Sequence, residues 1–321
     1  MRYVLPCALV LLLAHVPRVT AQVPSSVANP GAHFLAPITT ISETVDEVDL
    51  AFNVTDKKGR FIANLQPSDF ALFDNRNPLA PERLTFFQQR SDLPLNLAVL
   101  IDASDSVRGR FKFEREAALE FVKKMMRTGI DRAFVVTFND QVTTAQELTD
   151  KTARISRALK KMNAGGDTAL YDAIIYASEK LRQFPENQLT RRGIVLLSDG
   201  VDTVHRSTLE QAREAAARAQ TIIFSVSTNI SQFEPDAEGD PILKDLAEST
   251  GGMFLAGGNE DQIHAAFHDI QKALRNQYVI AYNPAAFHAD GSYHTVEVVP
   301  HKHGLRTNCR KGYYAIVRSI H

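Results

Sequence analysis

What the chain has little of narrows the choice first. Cysteine occurs twice in 321 residues. Cys7 lies inside an apolar N-terminal run, so a chain that has lost that run keeps one thiol, Cys309, and no internal disulfide. Stability must then come from packing, for which a hydrophobic content of 44% is ample in one or two domains. Charge of one sign is also lacking: 36 basic and 37 acidic residues give a net charge of −1. That balance offers no footing for nucleic acid or for an anionic membrane surface. The apolar run from Tyr3 to Val16 falls short of the ~20 residues that span a bilayer. With Arg2 ahead of it and Val19-Thr20-Ala21 behind, residues 1–21 read as a secretory signal peptide. The protein is therefore expected to be exported (periplasmic, secreted or cell-surface), with no integral span after cleavage. Missing as well are a G-x-S-x-G elbow, a P-loop and G-x-G-x-x-G, which removes the commonest hydrolase and nucleotide-binding signatures. Tryptophan is absent, and that excludes nothing.

Against this even background, residues 95–107 (LNLAVLIDASDSV) stand out. A continuous apolar run reads as a buried central strand, and it ends abruptly in Asp102, Ser104 and Ser106. A long amphipathic stretch follows, so the polar cluster sits just past a strand's carboxyl end, where open α/β sheets bind ligands. One carboxylate and two hydroxyls at alternate positions are hard oxygen donors, suited to Mg²⁺, Mn²⁺ or Ca²⁺ rather than zinc. Helix capping explains the same residues without a metal. Two further segments are similar in kind. Thr168 follows Gly165-Gly166 at a helix start, where a capping hydroxyl would also go. Asp199 ends a second apolar run, Gly193–Ser198, and precedes Gly200.

In chain order, residues 22–37 are rich in Pro, Ser, Gly and Ala and read as a linker. Residues 38–91 read as an antiparallel β segment. Val48, Leu50, Phe52 and Val54 alternate with polar or small residues, and strands are expected through Phe61-Ile62, Phe70–Phe73 and 84–88. Between 93 and 275, strand candidates at 95–102, 133–139, 193–199, 221–227 and 253–256 alternate with helical stretches. In the first of these, Phe113, Ala117, Phe121 and Met125 recur every four residues. The pattern predicts an α/β domain with a mostly parallel sheet and helices on both faces. Residues 277–317 return to strands and are expected to pair with 38–91. The ten histidines are scattered, and no zinc site is expected. Asn53-Val54-Thr55 and Asn229-Ile230-Ser231 are glycosylation sequons.

Taken together and in this order, D-x-S-x-S, the Thr after a Gly-rich loop and the Asp after the later strand resemble the von Willebrand factor type A (VWA) domain. The resemblance covers about residues 93–275. It implies a Rossmann-like fold and a metal-ion-dependent adhesion site made of Asp102, Ser104, Ser106, Thr168 and Asp199. It also implies a bound Mg²⁺ (or Mn²⁺/Ca²⁺) with one position left open for an Asp or Glu carboxylate of a protein partner. The flanking β segments, with VTDKKGRF, the SDF after it and the closing RKGYYA, are similar to the VWFA-related proteins described from Acidobacteria. On this reading the protein is a binding module and not an enzyme; a D-x-D phosphatase would need an aspartate where Ser104 stands. The alternative is a structural or assembly domain with a vestigial site. Asp105, Asp167, Asp172 and Asp202 lie near the five, and solvated or supporting roles are expected for them.

Overall fold

The computed structural model describes residues 47–90, 93–184, 190–229, 238–257, 259–285 and 287–315; the signal peptide and linker read from the sequence lie outside them. Alternation decides the first strands. In β1 (Val48–Thr55) the side chains of Val48, Leu50, Phe52 and Val54 all enter one core. After it come β2 (Phe70–Asp74), the two-residue β3 (Asn77–Pro78) and β4 (Leu84–Arg90). Phe61, expected in a strand, makes only a single bridge to Thr55. Asn64 has a positive φ of 62° and bends the chain away, and Pro67 then removes a ladder donor.

The middle of the chain lays down β5 (Leu95–Asp102), α1 (Phe111–Met125), β6 (Arg132–Phe138), β7 (Val142–Thr149), α2 (Thr152–Leu159) and α3 (Leu170–Arg182). It continues through β8 (Arg191–Ser198), α4 (Leu209–Arg218), β9 (Ile222–Ser227), α5 (Gly239–Ser249), β10 (Phe254–Ala256) and α6 (Glu260–Arg275). The sheet order is β10-β9-β8-β5-β6-β7, parallel except for β7. The central strands are apolar through their middles because both faces are covered. Leu97, Val99 and Ile101 of β5 face a core shared with α1, α2 and α6, while Ala98 and Leu100 face a second core with α3, α4 and α5. Phe121 of α1 stacks on Phe267 of α6 at 4.6 Å. The mostly polar β7 carries no such signature; it is a half-exposed antiparallel edge strand with irregular register.

The chain then returns as β11 (Gln277–Tyr282), β12 (Tyr293–Pro300), β13 (Arg306–Cys309) and β14 (Gly312–Tyr314). Two antiparallel sheets result, β13-β1-β11-β4 and β14-β12-β2-β3, and their inner faces share one core. Strand β11 lies between β1 and β4, so the α/β domain is flanked on both sides of the sequence by one β-sandwich. Asn53 of β1 points the other way. Its buried amide donates to the carbonyls of Ala273 and Asn276, at 2.9 Å each, and so is committed to the junction with α6. Among the described residues no helix is long and apolar enough to cross a membrane.

Candidate metal-ion site

Strands β5 and β8 are parallel neighbours, with Ile101 opposite Leu197, so their carboxyl ends finish side by side. This is also where the order of the sheet reverses, and the loops leaving the two strands open a crevice. Asp102 and Asp199 stand at its two lips. Asp102 is fully buried; its Oδ1 accepts from the Ser104 N–H (3.0 Å) and its Oδ2 from the Ser198 hydroxyl (2.7 Å). The Ser104 and Ser106 hydroxyls lie 3.0 Å apart, and Ser106 donates to Asp199 Oδ2 at 2.6 Å. Four of the five sequence-read residues thus form one connected group, opening to solvent at the exposed Ser106.

A third loop closes the site. The Gly165 N–H donates to the Ala103 carbonyl (2.7 Å), and the Asp105 N–H donates to the Gly166 carbonyl (2.9 Å). Gly166 has φ of 98°, a conformation natural to glycine. The Asn139 amide holds the Gly165 carbonyl at 2.7 Å. The buried Thr168 is clamped through its backbone: its N–H donates to the Thr203 hydroxyl (2.8 Å) and its carbonyl accepts from the Thr203 N–H (2.9 Å). Its own hydroxyl bonds to none of the other four.

The capping explanation is not what the structure shows. Ala169 is the N-cap of α3 and makes no side-chain cap, and Asp202, from the β8 side, accepts the Tyr171 N–H instead. Helix α1 begins after Arg110, again without a side-chain cap. The hydroxyls of Ser104, Ser106 and Thr168 are therefore free of that duty. The neighbouring acids are otherwise engaged: Asp105 pairs with Arg108, Asp172 with Arg206 and Ser207, and Asp167 is exposed.

Burial pushes the Asp102 carboxyl up to about 6, against the lowering effect of its hydrogen bonds, and the charge of Asp199 raises it further. Two carboxyl groups thus share a small polar site with the Ser104 and Ser106 hydroxyls, and the loop that carries Thr168 is bonded to the Ala103–Asp105 backbone beside it. All five are hard oxygen donors, and their repulsion is of the kind a divalent cation relieves, so the set fits Mg²⁺, Mn²⁺ or Ca²⁺. Among the described residues no group of three or more His, Cys, Asp or Glu side chains is placed to share an ion. His264 and His268, four apart on α6 and overlooked as a pair in the sequence, are no exception; His264 lies 3.4 Å from Glu120.

Residues 97–201 match the family model of the von Willebrand factor type A domain. The α/β sheet with its helices has the VWA fold. No curated protein matches the chain. Similar solved structures include BatB from Bacteroides thetaiotaomicron, at 15% identity over 56% of this chain and 98% of that one, with a TM-score of 0.46. The vWF domain of the pilus tip protein Mfa5 from Porphyromonas gingivalis matches at 14% identity over 56% and 95%, with a TM-score of 0.47. Proximal thread matrix protein 1 from the mussel byssus, described with a zinc-occupied MIDAS motif, matches at 21% over 62% of this chain and 50% of that one, with a TM-score of 0.47.

Three further residues support the site. Ser198 was taken only as the end of a strand, yet it holds Asp102 and also accepts the Gly200 N–H at 3.0 Å. The Asn229 amide donates to the Asp199 carbonyl (2.9 Å) and to Asp240 (2.8 Å). Arg110, the last residue before α1, places its guanidinium 4.0 Å from Asp199 Oδ2. Only Ser198, adjoining the S-D-G signal, could have been picked out by sequence.

Proposed function

We propose that the protein is an exported, divalent-metal-dependent protein-binding module. Asp102, Ser104, Ser106, Thr168 and Asp199 hold Mg²⁺ (or Mn²⁺/Ca²⁺), directly or through water. The observation that carries this reading is the hydrogen-bonded group Asp102–Ser104–Ser106–Asp199 at the sheet's switch point, where the serines cap no helix. A bound ion there supplies an electrophilic coordination position for an anionic oxygen. The protein's part is to fix the donors: Ser198 orients Asp102, Asn229 holds the loop of Asp199, and Thr203 holds Thr168. With only two carboxylates near the ion, an Asp or Glu of a protein partner completes the shell. The same reading includes a signal peptide over 1–21, a linker over 22–37, a VWA domain over 93–275 and β segments over 38–91 and 277–317. No hydrolytic chemistry is assigned to the site.

The test is a calorimetric titration with Mn²⁺ and Mg²⁺. The wild type should bind one ion per chain. Asp102→Ala should bind none while keeping a cooperative thermal transition. If the transition is lost in that variant, the cluster is structural; if the wild type binds no ion at millimolar concentration, the metal reading falls.

A further inference from the structure

A positive charge beside Asp199 comes from Arg110, which the donor set does not use. Its guanidinium is fixed on three sides. Nε donates to Glu114 Oε1 at 3.0 Å, Nη2 donates to the Thr228 hydroxyl at 3.2 Å, and the same Nη2 lies 4.0 Å from Asp199 Oδ2. That Oδ2 is the atom that accepts from Ser106. Arg110 is about a quarter exposed and Glu114 is fully buried one turn into α1, so the pair is anchored in the fold and does not float in solvent. Glu114 has its other oxygen, Oε2, buried with no hydrogen-bond partner. Burial pushes the Glu114 carboxyl up to about 8 against the pull of Arg110, and a buried polar group so poorly supplied is an expensive feature for a fold to keep unless the arginine it steers has a use.

We infer that Arg110 is an internal counter-cation of Asp199 that competes with the divalent ion and so sets the affinity of the site. The inference rests on the metal reading given above. Without an ion, the fixed positive charge balances Asp199 and keeps the Ser106–Asp199 hydrogen bond closed. With an ion on the same donors, the guanidinium faces a second positive charge across one carboxylate and weakens its hold. Glu114 and Thr228 prevent the arginine from swinging away, so the opposition persists when the ion enters. A partner's carboxylate adds negative charge at the same place and relieves it. Ion binding is thereby made weak alone and stronger with an acidic partner.

The experiment compares the wild type with R110Q, R110K and D102A by Mn²⁺ calorimetry, and by thermal unfolding in EDTA and in excess Mn²⁺. Removing a unit charge several ångströms from a divalent ion should tighten Mn²⁺ binding about tenfold in R110Q, even at the dielectric of water. R110K keeps the charge and should stay within about twofold of the wild type. In EDTA R110Q should melt below the wild type, and Mn²⁺ should raise its midpoint more. If Glu114 left without its arginine prevents folding, R110Q/E114Q removes both charges of the pair and carries the same expectation. Equal Mn²⁺ affinity in wild type and R110Q would overturn the role of Arg110 and leave the metal site standing. Binding by R110Q alone would support it. Absence of binding by both would overturn the metal reading and this inference with it.

Discussion

Asp74 and Asp102 are both buried carboxylates held by hydroxyls, and the contrast between them separates a structural residue from a site residue. Asp74 Oδ2 accepts from Tyr282 (2.8 Å) and Tyr313 (2.9 Å), and its Oδ1 lies 3.4 Å from His294 Nδ1. Asn75 closes the group: its Oδ1 accepts the Thr295 N–H at 3.0 Å, and its Nδ2 lies 3.0 Å from His294 Nδ1. Burial and the Asp74 charge hold both tyrosine hydroxyls well above their ordinary range, so they remain donors. The group joins β2, β11, β12 and β14 inside the sandwich and faces no crevice. Asp74→Ala would leave two buried hydroxyls without an acceptor, and should cost about 3 kcal/mol in urea unfolding. Asp74→Asn, which keeps one acceptor oxygen, should recover part of that. A cost below about 1 kcal/mol for the alanine variant would show that water replaces the carboxylate. Ion binding at the candidate site should be unchanged in both.

Elements buried on both faces were legible in the sequence; those defined by distant neighbours were not. The runs at 97–101 and 193–197 carry apolar or small residues at every step because each face meets a helix layer, and α1 announces itself through Phe113, Ala117, Phe121 and Met125. Strand β7 is polar and takes its shape from β6, so nothing local marks it. Of the candidate site, the strand ends and the glycine loop could be read. The contacts of Arg110 and Asn229 with Asp199, and of Asp202 with Tyr171, could not, because they join positions 30 or more residues apart. Gly239 belongs to the same class. It begins α5 directly against the Asp199–Gly200 turn; a Cβ there would collide with the Asp199 carbonyl oxygen, and one on Gly200 (φ 86°) with the backbone of Gly239. Only two glycines let helix and loop approach so closely. Gly239→Ala should therefore cost about 2 kcal/mol and, by shifting Asp199, weaken Mn²⁺ binding. For Gly200→Ala, which meets the same contact from the loop side, Gly59→Ala is the control, since it has a similar φ of 75° but no atom near its Cβ position. Equal stability loss in the two variants would mean that backbone strain, and not the helix–loop contact, is responsible.

At the scale of the whole molecule, the amino ends of the central strands, opposite the crevice, carry the connection to the sandwich. Asp131, at 1% exposure just before β6, is its hub. Its carboxylate accepts from the Leu95 N–H at 3.1 Å, from the Arg127 N–H and guanidinium at 2.8–2.9 Å, and from Arg275 at 2.9 Å. The end of α1, the start of β5 and the last residue of α6 are thus tied together two residues before the chain enters β11. There Gln277 takes over, accepting from Arg191 at 2.9 Å. Burial alone would raise the Asp131 carboxyl, but the Arg127 hydrogen bonds and Arg275 outweigh it and bring it from 3.8 down to about 2. A folded-state value below the unfolded one means stability present in full above pH 3.8 and lost as the pH falls through about 2. The shift corresponds to about 2–3 kcal/mol at neutral pH. Asp131→Asn should accordingly be about 3 kcal/mol less stable than the wild type at pH 7. The gap should hold down to about pH 4 and narrow toward pH 2, as followed by urea unfolding across that range. A gap independent of pH would mean that the aspartate acts through shape and hydrogen bonding and not through charge. Because Asp131 lies at the opposite edge of the sheet from Asp102, the folded variant should still bind Mn²⁺ as the wild type does; a weakened ion site would instead reveal coupling through α1, whose two ends carry Arg110 and Arg127.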